Sequence, residues 1–211
     1  MKPVRLTREQ SRDQTRQRLL DAAQAVFTQK GFGASSVEDV AADAGYTRGA
    51  FYSNFSSKAE LLLEVLKRDH DTIMARLTTL FEDGEASRAD MEARVLQYYS
   101  ECYQNNACFL LWVEAKLHAS RDDTFRERFN ALMRELRQTT TDYIRAFSER
   151  VGTPLTMPPE QMALGLIALC DGVQFFYSSD PQSVPAQFAE DVLGQFFRRV
   201  VLSGGAEEHD G

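Results

Sequence analysis

From Val4 through Thr153 the chain contains no proline. That run lacks the residue that most effectively breaks a helix. Its apolar residues recur at three- and four-residue spacing, and strand-type alternation is hard to find anywhere in the chain. The expectation is an all-α protein. A first helix is predicted from Ser11 to Lys30, with Leu19, Leu20, Ala23, Val26 and Phe27 on one face and Gly31 at its end. A short second helix starts at Ser35 or Ser36, where Ser35 and Glu38 have capping-box spacing. It stops at Gly45, which suits a left-handed residue after a helix. A third short helix opens at Thr47 and closes near Asn54. Ser57 with Glu60 forms another capping-box pattern and begins a long helix through about Glu82, about 40 Å in length.

Further helices are expected around Arg88–Asn105, Cys108–Ala119 and Asp122–Arg150. The loop Gly152–Pro159 holds three prolines, and Pro158 or Pro159 fits the first turn of the helix that follows. That helix, Glu160–Tyr177, is apolar almost all round, and a last helix spans about Val184–Leu202. A helix apolar on every side must be covered on every side. One chain of 211 residues covers it only in part, so a second copy of the chain is the expected partner. Leu166, Cys170 and Val173, with Phe188, Val192 and Phe196, are the expected dimer interface.

Composition narrows the function classes. Three widely spaced cysteines exclude a disulfide scaffold. No apolar run approaches the roughly 18 residues of a membrane span. The polar, basic N-terminus lacks the apolar stretch of a secretory leader. The expectation is therefore a cytoplasmic protein without a membrane partner. The net charge of −7 argues at first against nucleic acid, whose binding is dominated by phosphate neutralisation. The charge is unevenly distributed, however. Residues 1–58 hold nine Lys/Arg against six Asp/Glu, while the rest holds 15 against 25. A basic head on an acidic body points towards nucleic-acid contact.

The most informative stretch is Ala22 to Leu63. Two short helices separated by a Gly-containing turn, braced by a preceding helix, form the helix-turn-helix pattern. Ala41, Ala42 and Ala44 let the helices approach, and Gly45 supplies the turn. Phe51 and Phe55 pack inward, and Thr47, Arg48, Tyr52 and Asn54 lie on the exposed face. The string Ala23-x-x-Val26-Phe27-x-x-x-Gly31-Phe32, Ser35-Ser36-Val37-x-x-Val40-Ala41-x-x-Ala44-Gly45-Tyr46-Thr47, then Gly49-Ala50-Phe51-Tyr52-x-Asn54-Phe55-x-x-Lys58-x-x-Leu61 resembles the TetR family of bacterial one-component transcriptional regulators. About 40 consecutive residues match in order and spacing. Tyr46 and Arg48 occupy positions that vary in the family and bear on operator sequence.

The resemblance implies an N-terminal three-helix DNA-binding domain (1–56, with a basic arm) and a larger helical ligand-binding and dimerisation domain (57–203). Residues 204–211 are expected as a disordered tail. It implies phosphate contacts from Thr47, Tyr52 and Lys58, with Ser36 at the start of the second helix, and close backbone approach at Gly49. Arg48 is the candidate for base readout, because a guanidinium pairs bidentately with guanine. The arm with Lys2, Arg5, Arg8 and Arg12 would add phosphate or minor-groove contacts.

The resemblance also implies a ligand cavity beyond the long helix. Tyr98, Cys102, Phe109, Trp112, His118 and Phe129 are the candidate lining, with Asp171 and Gln174 among the polar groups. Glu114 and His118, four apart, read equally well as a surface pair. Structural-zinc spacing, Gly-rich phosphate loops and nucleophile motifs are absent from the sequence, so no metal, cofactor or enzymatic activity is expected. The cysteines read as buried inert thiols. The resulting expectation is a homodimeric repressor that binds a near-palindromic double-stranded DNA operator. A small, largely apolar or aromatic effector would release it. The alternative is a helix-turn-helix regulator without a small-molecule ligand, controlled by a protein partner or acting as an activator.

Overall fold

The computed structural model describes residues 7–79, 90, 93–94, 97, 108–152 and 154–201. Among them are eight helices and no strand: α1 (Arg8–Lys30), α2 (Val37–Asp43), α3 (Arg48–Tyr52), α4 (Lys58–Thr79), α5 (Phe109–Ala119), α6 (Asp123–Val151), α7 (Pro159–Ser179) and α8 (Ala186–Val201). The helix expected around Arg88–Asn105 lies almost wholly outside the described residues; Asp90, Ala93, Arg94 and Gln97 are helical.

The helix starts follow local capping chemistry, with three departures from expectation. α1 begins three residues before Ser11, because Thr7 and Gln10 form a reciprocal capping box. Arg8 and Arg12 are therefore helical and exposed rather than part of an arm. α2 is capped by Ser36 and closed by Asp39, not by Ser35 and Glu38. Ser35 is buried, and its hydroxyl donates to the Gly31 carbonyl at 2.5 Å. At α4 the expected box is half formed. Ser57 Oγ accepts from the Glu60 amide at 3.0 Å, but the Glu60 carboxylate reaches back to the amide and hydroxyl of Ser56. Pro159 sits at the first position of α7, as expected.

The chain divides into two compact units, Met1–Thr72 with Ala107–Leu132, and Ile73–Asn106 with Met133–Gly211. α4 and α6 each contribute residues to both units. In the first unit Leu19, Ala23, Phe27, Val40, Phe51, Leu61, Leu62, Val65 and Leu66 are fully buried. The anchoring of α4 to α1 is polar as well: Arg68 donates to Asp21 Oδ1 and Gln24 Oε1, each at 2.6 Å, and to the Leu20 carbonyl at 3.2 Å.

In the second unit, Ile144 and Phe147 of α6, Met162, Ala163 and Leu166 of α7, and Phe197 of α8 form one core cluster. Ala189 and Leu193 form another, with Leu169, Cys170, Val173, Tyr177 and Val184 against it. α7 corrects one expectation. Its 21 residues include an 18-residue window of mean hydropathy 1.3, long and apolar enough by length and composition to cross a membrane. Glu160 and Asp171 interrupt its apolar residues, so the sequence shows no unbroken apolar run of that length. The helix contributes Met162, Ala163 and Leu166 to a packed core, while only 17% of that window is buried.

Candidate nucleic-acid interface

Short helices are unstable alone and must be held by packing. For α3, five residues long, the hold is Phe51, fully buried, with Phe55 beyond the helix end only 1% exposed. Their rings lie 5.9 Å apart. The turn before α3 is closed as the sequence predicts. Gly45 adopts φ 73°, its amide donates to the Ala42 carbonyl, and the Tyr46 amide donates to the Ala41 carbonyl. This is a Schellman closure, in which a side chain on residue 45 would be strained. Thr47 Oγ1 then accepts from the Ala50 amide at 3.3 Å and starts α3.

With Phe51 turned inward, Thr47, Arg48, Gly49 and Tyr52 are left on the outside. Arg48 (side chain 64% exposed) lies 2.8 Å from Glu38 of α2, and its guanidinium carbon is 5.5 Å from the Tyr52 ring centre. Hydrogen bonding to Tyr52, followed by the Glu38 charge, pushes the Arg48 proton affinity up still further. The face thus presents one fixed cation and one half-exposed phenol. Among the described residues, an added Cβ at Gly49 would meet only Thr47 Oγ1, at 3.7 Å.

The other expected contacts are drawn into the scaffold. Ser36 caps α2, with its hydroxyl donating to Asp39. Tyr46 is half-buried, its phenol accepting a long 3.5 Å bond from Thr15 of α1. Asn54 does not join the exposed face: its amide donates to the Ala50 carbonyl at 2.8 Å, and among the described residues its buried Oδ1 has no hydrogen-bond partner. Lys58 directs its ammonium to two backbone carbonyls, Phe32 and Ser35, each at 2.6 Å, and lies 4.4 Å over the Phe32 ring. Burial pushes its proton affinity down despite the nearby Glu114 and Asp39 carboxylates.

Two scaffold residues escaped the sequence reading. Arg16 of α1 donates to the Asn54 carbonyl at 2.8 Å, pairs with Glu64 of α4 at 2.9 Å, and stacks 4.2 Å from the Phe55 ring. One guanidinium thereby joins α1, the end of α3 and α4. The only available signal was its place one turn beyond Arg12, which favours no partner. Asp39 accepts from Lys30 Nζ at 2.7 Å and from Ser36, and both hold its carboxyl well below the usual range.

Of the expected ligand residues, Tyr98 and Cys102 lie outside the described residues. Trp112, His118 and Phe129 are brought together through Phe125, packed on their neighbours, and Phe109 is buried. Trp112 and Phe129 have ring centres 6.4 Å apart, Phe125 stacks on Phe129 at 5.9 Å, and the His118 ring lies between Phe125 at 4.6 Å and Phe32 at 5.3 Å. The Trp112 indole donates to Asp69 of α4 at 2.8 Å. Asp171 and Gln174, half-buried on α7, belong to the second unit. A cavity of about 320 Å³ in that unit is lined by Gln97, Gln187, Glu190, Asp191, Gly194, Gln195 and Arg198. Among the described residues, its lining includes none of the expected ligand residues. No group of three or more potential metal ligands occurs among the described residues.

The expected dimer residues separate into two sets. Leu166 is inside the chain's own core, and Cys170 and Val173 are half-buried against α8. Phe188 and Phe196 are more than half exposed, and Val192 is half-buried. Leu164, Phe175 and Phe176 of α7 are exposed as well. A helix apolar all round gives no sequence signal for which side its own chain covers.

A braced pair of short helices closed by a glycine turn, with an arginine and a tyrosine outermost, defines a helix-turn-helix regulator. The comparisons with known proteins make this more specific. The family model for bacterial regulatory proteins of the tetR family matches residues 19–65, and that for the C-terminal part of BetI-type transcriptional repressors matches residues 87–202. The second match alone covers more than half of the chain, and the chain belongs to the TetR family of transcriptional regulators, which are not enzymes. Among curated relatives it is 29% identical over 123 residues to the transcriptional repressor KstR2 of Rhodococcus jostii, covering 57% of this chain and 60% of that one. It is 37% identical over 86 residues to the transcriptional activator FasR of Mycolicibacterium smegmatis, 39% of either chain. The matches thus span at most 60% of these two relatives. In fold it is similar to the triclosan complex of SmeT, the repressor of a Stenotrophomonas maltophilia multidrug efflux pump. The TM-score is 0.67 at 24% identity, covering 90% of this chain and 93% of that one.

Proposed function

We propose that the protein is a cytoplasmic, homodimeric repressor that reads a near-palindromic DNA operator and is released by a small, largely apolar or aromatic effector. The observation that carries the DNA reading is the exposed pair Arg48 and Tyr52 on a helix whose opposite face is fixed by fully buried Phe51. Arg48 reads a guanine edge, while Thr47, Gly49 and Tyr52 meet the backbone around it. The exposed apolar residues of α7 and α8 support dimerisation, which gives two such helices for successive major grooves. The effector reading is supported by the aromatic side chains gathered around Trp112 and by the aromatic molecule in the SmeT complex. Those aromatics are closed on one another, which favours keeping a second reading, regulation without a small molecule.

Selection of duplexes from a random-sequence library tests the DNA reading. Wild-type protein is expected to enrich two inverted half-sites about one helical turn apart. Arg48→Ala is expected to relax one base position in each. The absence of any enriched sequence with folded wild-type protein would refute it. Thermal-shift screening against apolar and aromatic compounds separates the two regulatory readings, since a ligand of the folded state raises apparent stability.

A further inference from the structure

Between α1 and α2 the chain makes a turn, Gly31 to Ser35, that leads directly into the Ser36 cap. Every backbone polar group in such a turn needs a partner. Here several come from side chains distant in sequence. The Phe32 amide donates to Glu114 Oε2 of α5 at 2.6 Å, and the Gly33 amide to the same oxygen at 3.3 Å. The Phe32 carbonyl accepts from Lys58 of α4. Residue 31 also carries the mark of this contact: a Cβ there would lie 3.1 Å from Glu114 Oε1, and φ is 81°. One helical turn after Glu114, His118 packs on the Phe32 ring, which in turn meets Phe27 edge-on at 5.5 Å. α5 therefore grips the turn twice, once through a carboxylate and once through a ring.

The geometry points to Glu114 as the positioning residue through which α5 sets the α1–α2 turn, and with it the angle at which α2 and α3 are presented. This inference rests on the DNA-reading function proposed above. α2 is seven residues long and takes its direction from its cap, so a shift of the turn is carried into the reading helix. Two residues before Glu114 on the same helix is Trp112, tied by its indole to Asp69 of α4. Anything that moves α5 alters both contacts together. Coupling between two sites is reciprocal, so DNA binding at α3 must be felt at Trp112. It is the sole tryptophan of the chain and hence a built-in reporter.

The experiment uses the full chain and the duplex that wild-type protein enriches from a random library. Fluorescence anisotropy of the labelled duplex reads affinity, and acrylamide quenching of Trp112 reads the state of α5. In wild-type protein, saturation with duplex is expected to change the quenching constant. Glu114→Ala removes the acceptor for both amides and is expected to weaken duplex binding about tenfold, within the range for losing a charged hydrogen-bond partner. It is also expected to abolish the quenching response at saturating duplex. Glu114→Gln keeps a neutral acceptor oxygen of the same reach, and should bind and respond between the two. That partial rescue separates positioning from a general loss of structure. Full wild-type affinity and quenching response in Glu114→Ala would overturn this inference alone. Failure of wild-type protein to enrich any duplex would overturn the regulatory reading, and this inference with it.

Discussion

Replacing Lys58 by methionine discriminates between two roles for this residue. The resemblance assigns its ammonium to DNA phosphate, whereas the structure directs it at the Phe32 and Ser35 carbonyls. Methionine keeps an unbranched stem and removes only the charged head. A hydrogen bond to a charged group contributes about 1.5–3 kcal/mol net. Lys58 is half-buried, so water can replace part of each bond, and about half of that range per bond is appropriate. Its place over the Phe32 ring adds about 0.5–1 kcal/mol. The expected loss is therefore about 3 kcal/mol. For a chain of this size 1 kcal/mol corresponds to about 2–4 °C, which places the fall in melting temperature at about 6–12 °C. Circular-dichroism melts at fixed protein concentration measure it. A melting temperature unchanged within about 1 °C, with weaker DNA binding and a salt slope reduced by about one, would refute the structural assignment and put the ammonium on a phosphate.

Three other measurements follow from the same structure. The Asp39 carboxyl is held below its ordinary range by Lys30 and Ser36, so its contribution is present above the ordinary carboxylate pKa and is lost as pH falls through its lowered value. Asp39→Asn should therefore melt below wild type at pH 7, with the gap closing in acid; a gap independent of pH would contradict the pairing. Burial, with Asp69 nearby, pushes the Cys108 thiol up to about 12. Peptide-resolved alkylation at pH 8 should leave Cys108 unmodified in native protein and label it after denaturation, and rapid native labelling would show that the site is open. Phe176, exposed on α7, belongs to the proposed dimer face. Phe176→Glu is expected to weaken association by about 2 kcal/mol or more, as at interface hot spots. Sedimentation would show monomer at concentrations where wild type is dimeric, and an unchanged dimer would place the interface elsewhere.

How much could be read in advance depended on how local each cause was. The all-α class, the Gly45 closure, the Thr47 cap and the inward Phe51 and Phe55 follow from neighbours within a few residues, and these were legible. Ser35 and Ser36 show where such legibility ends. Both have an acid three positions on, and the chain uses Ser36 because Ser35 is buried against the Gly31 carbonyl. Lys58 and Asn54 lay within the matched motif, yet the motif does not reveal that their polar groups are bound to backbone carbonyls within the fold.

The sequence by itself determined the helical class, the family and the face of α3 that carries Arg48 and Tyr52, because periodicity, caps and a 40-residue motif are short-range information. Tertiary structure alone decided the rest. It brought Glu114 82 positions back to the Phe32 amide, placed Arg16 against Asn54 and Glu64, and chose Leu166 for the core while leaving Phe176 outside. These are contacts between elements far apart in the chain. A carboxylate on a helix looks the same in sequence whether it meets water or two backbone amides, and only packing decides which.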